Sequence, residues 1–144
     1  MPRVFRDGVD LDAVRASGAG TLVEHLGIQL TELGDDFLRG TMPVDHRTKQ
    51  PYGLLHGGAS VALAETLGSI AGNLAVRDPS KHMVVGLEIN ANHLAAVTSG
   101  TVTGTARPLH VGRSTQVWEI RIEDAMGRMN CVSRITLAVV PTTR

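Results

Sequence analysis

The chain has 144 residues, of which 42% are hydrophobic and only 3% aromatic, and its 14 basic side chains balance 14 acidic ones. That length fits one domain, with a core built from Ala, Val, Leu and Ile. The even charge excludes the basic excess that nucleic acid or an anionic membrane selects, so neither is expected as a partner.

Cys131 is the only cysteine, which rules out a disulfide within the chain and fits a reducing compartment. The opening MPRVFRDGVDLD lacks the apolar core of a signal peptide. The most apolar stretch, Ala59 to Val76, is short for a membrane span and carries Glu65, Ser69 and Asn73. A soluble cytoplasmic protein is expected. Residues 1–144 read as a single domain, with 1–17 as an N-terminal extension carrying a short helix.

In chain order, Asp10 to Arg15 predicts that helix, with Asp10 as N-cap and Gly18 as stop signal. Thr21 to Leu26 predicts a second short helix, ended by Gly27. Ile28 to Leu33 and Asp36 to Val44 predict two strands joined at Gly34-Asp35, a hairpin signal. Asp45 to Leu55, with Pro51 and Gly53, reads as a loop. Gly57 to Val76 is the one long helix. Strands follow at Met83 to Leu94 and Thr101 to Arg107. Thr115 to Glu123 alternates Trp118, Ile120 and Ile122 against Val117, Glu119 and Arg121. Asn130 to Val140 is the last strand, after a turn at Met126-Gly127. About six strands and one main helix make an α+β order. A curved antiparallel sheet around that helix explains why the helix is apolar on nearly all sides.

The helix carries a narrow polar stripe. At 3.6 residues per turn, Ala62, Glu65, Thr66, Ser69 and Asn73 share one face. A solvated face normally carries several charges, whereas this one has only Glu65 and reads as the wall of a pocket or interface. A carboxylate there suits a general base or a nucleophile. At the start of the helix, Gly57 and Gly58 leave backbone N–H groups uncovered at the positive end of the helix dipole, an oxyanion hole in outline. His56 stands just before them. Gly57 and Glu65 are eight residues apart, about 12 Å along one helix axis at roughly 1.5 Å per residue. One helix does not bring both to one carbonyl. If both are catalytic, two copies of the chain share the site, which points to a symmetric homodimer.

These residues also carry a resemblance. "QPYGLLHGGASVALAE", followed by "VVGLEINANHL" and "RPLHVG", resembles the hotdog-fold acyl-CoA thioesterases over nearly the whole chain. The likeness is to the branch of 4-hydroxybenzoyl-CoA and phenylacetic-acid-degradation thioesterases. Within it, the naphthoyl-CoA and aryl-carrier-protein proofreading thioesterases are most similar. The resemblance implies a long helix wrapped by a curved antiparallel sheet, and dimers paired into homotetramers. It implies a thioester site at the dimer interface, with glutamate and glycine from opposite subunits. It places Glu65 at the catalytic carboxylate and Gly57 at the N–H that polarises the thioester carbonyl. Gln50 and His56 take supporting positions beside the thioester and water. Thr66 and Ser69 match hydroxyl positions near the acyl group, and His93 matches a histidine near the acyl pocket. The naphthoyl-CoA likeness points toward menaquinone biosynthesis.

The expected reaction is hydrolysis of an aromatic acyl-CoA, with Glu65 as nucleophile or as general base. Arg107, His110, Arg113 and Ser114, around the "RPLHVGRS" turn, are candidates for the phosphates of coenzyme A, and an ordinary solvated hairpin is the competing reading there. No metal or separate cofactor is expected: the six histidines lack ligand spacing, and coenzyme A enters as part of the substrate. A carrier-protein proofreading thioesterase, an enoyl-thioester hydratase, a non-catalytic acyl-CoA binding module and a purely structural domain are the alternatives.

Overall fold

A computed structural model describes residues 2–143. Two short helices come first, α1 (Leu11–Ala16) and α2 (Leu22–His25). The Asp10 carboxylate caps α1 by accepting from the Asp12 N–H, and the Thr21 hydroxyl caps α2 by accepting from the Val23 N–H. Each satisfies a donor that a helix start leaves free. Gly27, at φ 72°, turns the chain out of α2 in a conformation that suits glycine.

Strands β1 (Gln29–Leu33) and β2 (Leu38–Pro43) precede the long helix α3 (Gly57–Ala75). Four longer strands follow: β3 (His82–His93), β4 (Thr101–Val111), β5 (Thr115–Glu123) and β6 (Met129–Pro141). All pairings are antiparallel, in the order β1-β2-β4-β5-β6-β3. The strand that directly follows α3 therefore lies at the far edge of the sheet.

The α+β architecture with one long helix and six strands is the expected one. The helix lies across the sheet and buries Leu63, Ala64, Leu67 and Ala71 completely. From β5, Trp118, Ile120 and Ile122 meet it with no exposed surface, as their alternation requires. Burying each large side chain contributes about 1.5–3 kcal/mol. The N-terminal extension joins this core: Phe5 is buried and stacks on Trp118 at a ring separation of 6.0 Å.

Two details differ from the sequence reading. Strand β4 continues past Arg107 to Val111, because Pro108 lies beyond the stretch paired with β2 and beside an irregularity where Leu109 is the extra residue. A proline is tolerated there because no ladder bond needs its missing N–H. The sheet also covers α3 on one side only. Glu65 and Asn73 are exposed, and Val61, Ala62, Thr66, Ser69 and Ile70 are half-buried.

Candidate active site

The site starts at the entry to α3. His56 is the N-cap, and its Nδ1 accepts a 2.7 Å hydrogen bond from the Gly58 N–H. The N–H groups of Ala59 and Ser60 turn back to the His56 carbonyl at 3.0 and 3.2 Å. Of the first four donors of the helix, only that of Gly57 is left without a partner among the described residues. His56 and Gly58 thus build the helix entry, and Gly57 presents the free N–H at the positive end of the dipole. An Nδ1 that accepts places the ring proton on Nε2, where it is free to donate to a ligand.

Gly57 has a steric reason to be glycine. The His93 imidazole, at the end of β3, occupies the space beside it: a Cβ on Gly57 would lie 2.9 Å from His93 Nε2. Glycine, histidine and the free N–H therefore form one surface. Gln50 joins them from the loop before α3. Its side-chain oxygen accepts from the Tyr52 N–H, and the residue lines the same cleft. The cleft has a volume of about 420 Å³, and Gln50, Gly57, Ser60, His93, Leu94 and Asn130 line it.

Glu65 lies two turns along α3, exposed on the open face. Its carboxylate rests over Gly86 of β3, where a Cβ would come within 3.4 Å of Oε1. It does not line the Gly57 cleft of its own chain. Beside it, the Thr66 hydroxyl donates to the Ala62 carbonyl at 2.7 Å, and Ser69 is half-buried. Asn73 at the end of the stripe is structural. Its Oδ1 accepts from the Val84 N–H and its Nδ2 donates to the Ser69 carbonyl, tying α3 to β3.

The four residues of the RPLHVGRS turn do not form one cluster. Arg107 pairs with Asp36 at 3.3 Å and lies over the Phe37 ring. The His110 ring folds over Gly112, whose Cβ would lie 2.5 Å from Nε2. Arg113, with Ser114 next to it, opens on a separate cleft of about 820 Å³ at the C-terminal end of α3. Arg3, Arg6, Arg77 and His82 line that cleft too, with Asp7 the one acidic side chain.

Sequence reasoning missed Ser60 and Asn130, both buried and both on the Gly57 cleft. A signal was present in each case, a polar residue inside an apolar run. Cys131, adjacent to Asn130, is fully buried, and loss of solvation pushes its thiol pKa up, so it is kept from acting as a thiolate. Among the described residues, no three His, Cys, Asp or Glu side chains converge as metal ligands would. No described helix is long and apolar enough to cross a membrane.

Residues 52–131 match the family described as the thioesterase superfamily. The chain is 57% identical over 137 residues to the proofreading thioesterase EntH of Cronobacter turicensis, covering 95% of this chain and 98% of that one. It is 51% identical over 137 residues to the 1,4-dihydroxy-2-naphthoyl-CoA hydrolase of Escherichia coli, covering 95% and 99%. A crystal structure of a thioesterase from Haemophilus influenzae superposes with a TM-score of 0.93 at 47% identity, covering 98% of this chain and 97% of that one. An unpartnered N–H at the helix entry, a carboxylate on an open helix face and these likenesses agree: the chain belongs to the thioesterase superfamily, has the hotdog fold and is a thioester hydrolase.

Proposed function

We propose that the protein hydrolyses an aromatic acyl thioester of coenzyme A in a site shared by two copies of the chain. The carrying observation is the placement of the two catalytic groups. Gly57, whose N–H has no partner among the described residues, lines a cleft that Glu65 of the same chain does not line. Glu65 stands about 12 Å further along the same helix, on its uncovered face. A two-fold axis that brings Glu65 of one copy to Gly57 of the other creates two equivalent sites.

The free edge of the sheet supports such pairing. Strand β3 is paired with β6 on one side only. Met83, Val85 and Leu87 on it are 37%, 39% and 63% exposed. A long apolar edge of this kind is a template for another chain. Homodimers formed here, and tetramers made from such dimers, are part of the proposal.

In the shared site, the thioester oxygen accepts from the Gly57 N–H, a donor worth about 3 kcal/mol to the transition state. In the base mechanism, Glu65 takes a proton from water as the water oxygen bonds to the carbonyl carbon. Collapse of the oxyanion breaks the C–S bond, and the departing thiolate takes up the proton. In the nucleophilic mechanism, Glu65 itself displaces the thiolate and water then cleaves the mixed anhydride. Gln50 and His56 supply donors beside the carbonyl. Thr66 and Ser69 extend from Glu65 along the face that meets the acyl group. Arg113, in the cleft with four more basic side chains, is the best-supported contact for the phosphates of coenzyme A. Coenzyme A is part of the substrate, and the scheme calls for no resident cofactor.

The likeness to a proofreading thioesterase favours a second reading, an aryl carrier protein in place of coenzyme A. The chemistry is unchanged, and paired rates on the same acyl group carried by each thiol decide between them.

Subunit complementation tests the shared site. Glu65→Gln and Gly57→Val are each expected to be inactive. Mixed under conditions that exchange subunits, they regain about a quarter of wild-type activity, because half the dimers hold one intact site of two. No recovery in a preparation shown to contain mixed dimers sinks the proposal.

A further inference from the structure

Strand β3 carries two landmarks of the shared site. Near its middle, Gly86 lies under the Glu65 carboxylate, and at its end His93 lies beside Gly57. Both positions face α3, since Gly86 pairs with Leu137 and His93 with Cys131, and those two partners are fully buried.

The backbone decides which groups of β3 are free to meet another chain. In an antiparallel ladder, successive residues alternate between bonding one neighbour and facing the other side. The Leu94 N–H donates to the Asn130 carbonyl at 2.8 Å, in step with the pairs Asn92–Val132 and Asn90–Arg134. The Asn90 carbonyl also accepts from the Ser133 hydroxyl at 2.8 Å, so it faces β6. The backbone groups of Ile89, Ala91 and His93 therefore turn to the open edge. Leu87 is an extra residue between Gly86 and Glu88, and it resets the alternation. Before it, the Thr142 N–H donates to the Lys81 carbonyl at 2.9 Å, in step with Met83–Val140 and Val85–Ala138. Val84 and Gly86 therefore face the edge as well. Val84 is already occupied, because its N–H donates to Asn73 Oδ1 at 3.1 Å. The edge is closed at Val84 and open from Gly86 to His93.

Resting on the shared thioesterase site proposed above, we infer that β3 pairs antiparallel with β3 of a second copy about a two-fold axis at Asn90. The two landmarks fix the register. Glu65 of one copy meets Gly57 of the other when Gly86 lies opposite His93 of that other copy. With Leu87 left over as the extra residue, Glu88 then meets Asn92, Ile89 meets Ala91, and Asn90 meets Asn90. Every pair joins residues of one face, as antiparallel strands require. Ile89 and Ala91, both turned to the edge, exchange the hydrogen bonds. This pairing uses the open stretch from end to end. Moving the axis toward Glu88 drives the incoming strand into Asn73, and moving it toward Asn92 leaves Gly86 uncovered.

Disulfide trapping reads the register. Asn90→Cys, at an exposed position, meets itself across the axis at about 4.5 Å between Cα atoms, a span that a disulfide bridges. Mild oxidation should shift most of the protein to the mass of a covalent dimer on denaturing gels. Turnover should be unchanged, because Asn90 pairs with the exposed Arg134 on the face away from α3. Glu88→Cys and Asn92→Cys each lie about 13 Å from their own copies, at roughly 3.3 Å per residue, and should not link alone. An exchanged mixture of the two should trap about half of its dimers, those with one chain of each. Cys131 is fully buried, so the wild-type protein is the unlinked control. Self-linking of Glu88→Cys or Asn92→Cys in place of Asn90→Cys overturns the inference. So does a linked Asn90→Cys dimer that regains turnover only on reduction. If mixed Glu65→Gln and Gly57→Val dimers recover activity while Asn90→Cys stays unlinked, the register falls and the shared site stands. An active monomer in sedimentation removes both.

Discussion

The two sides of α3 obey different rules. On the sheet side, space decides. Gly68 and Gly72 lie so close to β6 that a Cβ would come 2.5 Å from Ile135 Cγ2 and 2.4 Å from Leu137 Cδ1. On the open side, Glu65 is exposed over Gly86, and Thr66 and Ser69 flank it with part of their surface free. A single helix thus carries a tightly packed face and an open polar face, to which the proposed mechanism assigns the chemistry. Changes on the first side should cost stability, and changes on the second should cost turnover.

The largest separation of the two is expected from Glu65→Gln. The side chain is exposed in the single chain and lies against a cleft in the proposed dimer, so its replacement should leave the unfolding free energy within about 0.5 kcal/mol of wild type. Turnover of an acyl-CoA should fall by about 10²–10⁴-fold, the contribution of a positioned base. Free-thiol release and urea unfolding on the same preparation check both halves. A large loss of stability would make Glu65 a packing residue and erase the contrast between the faces.

The opposite outcome is expected for Gly72→Ala. The added methyl meets Leu137 and comes 2.9 Å from Gln116 Oε1. Gln116 is 1% exposed, donates to the Gly72 carbonyl at 3.3 Å and accepts from Trp118 Nε1 at 2.9 Å. Overpacking of this kind costs about 1–3 kcal/mol, and disturbing the buried amide adds to it. Alanine recovers about 1 kcal/mol through its better helix propensity. A net loss of about 2 kcal/mol in urea unfolding is expected, at matched protomer concentration because assembly shifts apparent stability. Activity per folded molecule should stay near wild type.

How much of this was legible in the sequence follows from the range of the forces involved. Local rules reached far. The caps at Asp10 and Thr21, the helix starting at Gly57 and the alternation through Trp118, Ile120 and Ile122 all depend on neighbours along the chain. The Gly57–Glu65 spacing was readable because helix geometry is fixed. Irregularities were not readable. An extra residue beside Pro108 carries β4 on to Val111 and parts Arg107 from Arg113, although they are six positions apart. A second, in β6, turns Asn130 inward, where alternation allows only one of Asn130 and Cys131. The stacking of Phe5 on Trp118 joins residues 113 positions apart and left no periodic trace.

The smallest expected effect tests the segment that leads into the reactive face. Asp45 opens the loop that carries Gln50 and ends at His56. Its carboxylate accepts from the Arg47 backbone N–H at 2.9 Å and from the guanidinium at 2.7 Å, and its backbone N–H donates to Thr48 Oγ1. Thr48 in turn accepts the His56 N–H through its carbonyl at 2.8 Å. Hydrogen bonds from the Arg47 side chain, then from its backbone, lower the Asp45 pKa from 3.8 to about 2. The folded chain therefore holds this carboxylate ionised at pH values where the unfolded chain protonates it. The resulting stability is fully present above pH 3.8 and is lost as pH falls toward about 2. Asp45→Asn should be slightly less stable than wild type near neutrality, and the two unfolding curves should converge across that acid window. A gap that persists unchanged below it would assign the loop's rigidity to hydrogen-bond shape alone. The approach to Gly57 would then be held by packing, as the sheet side is.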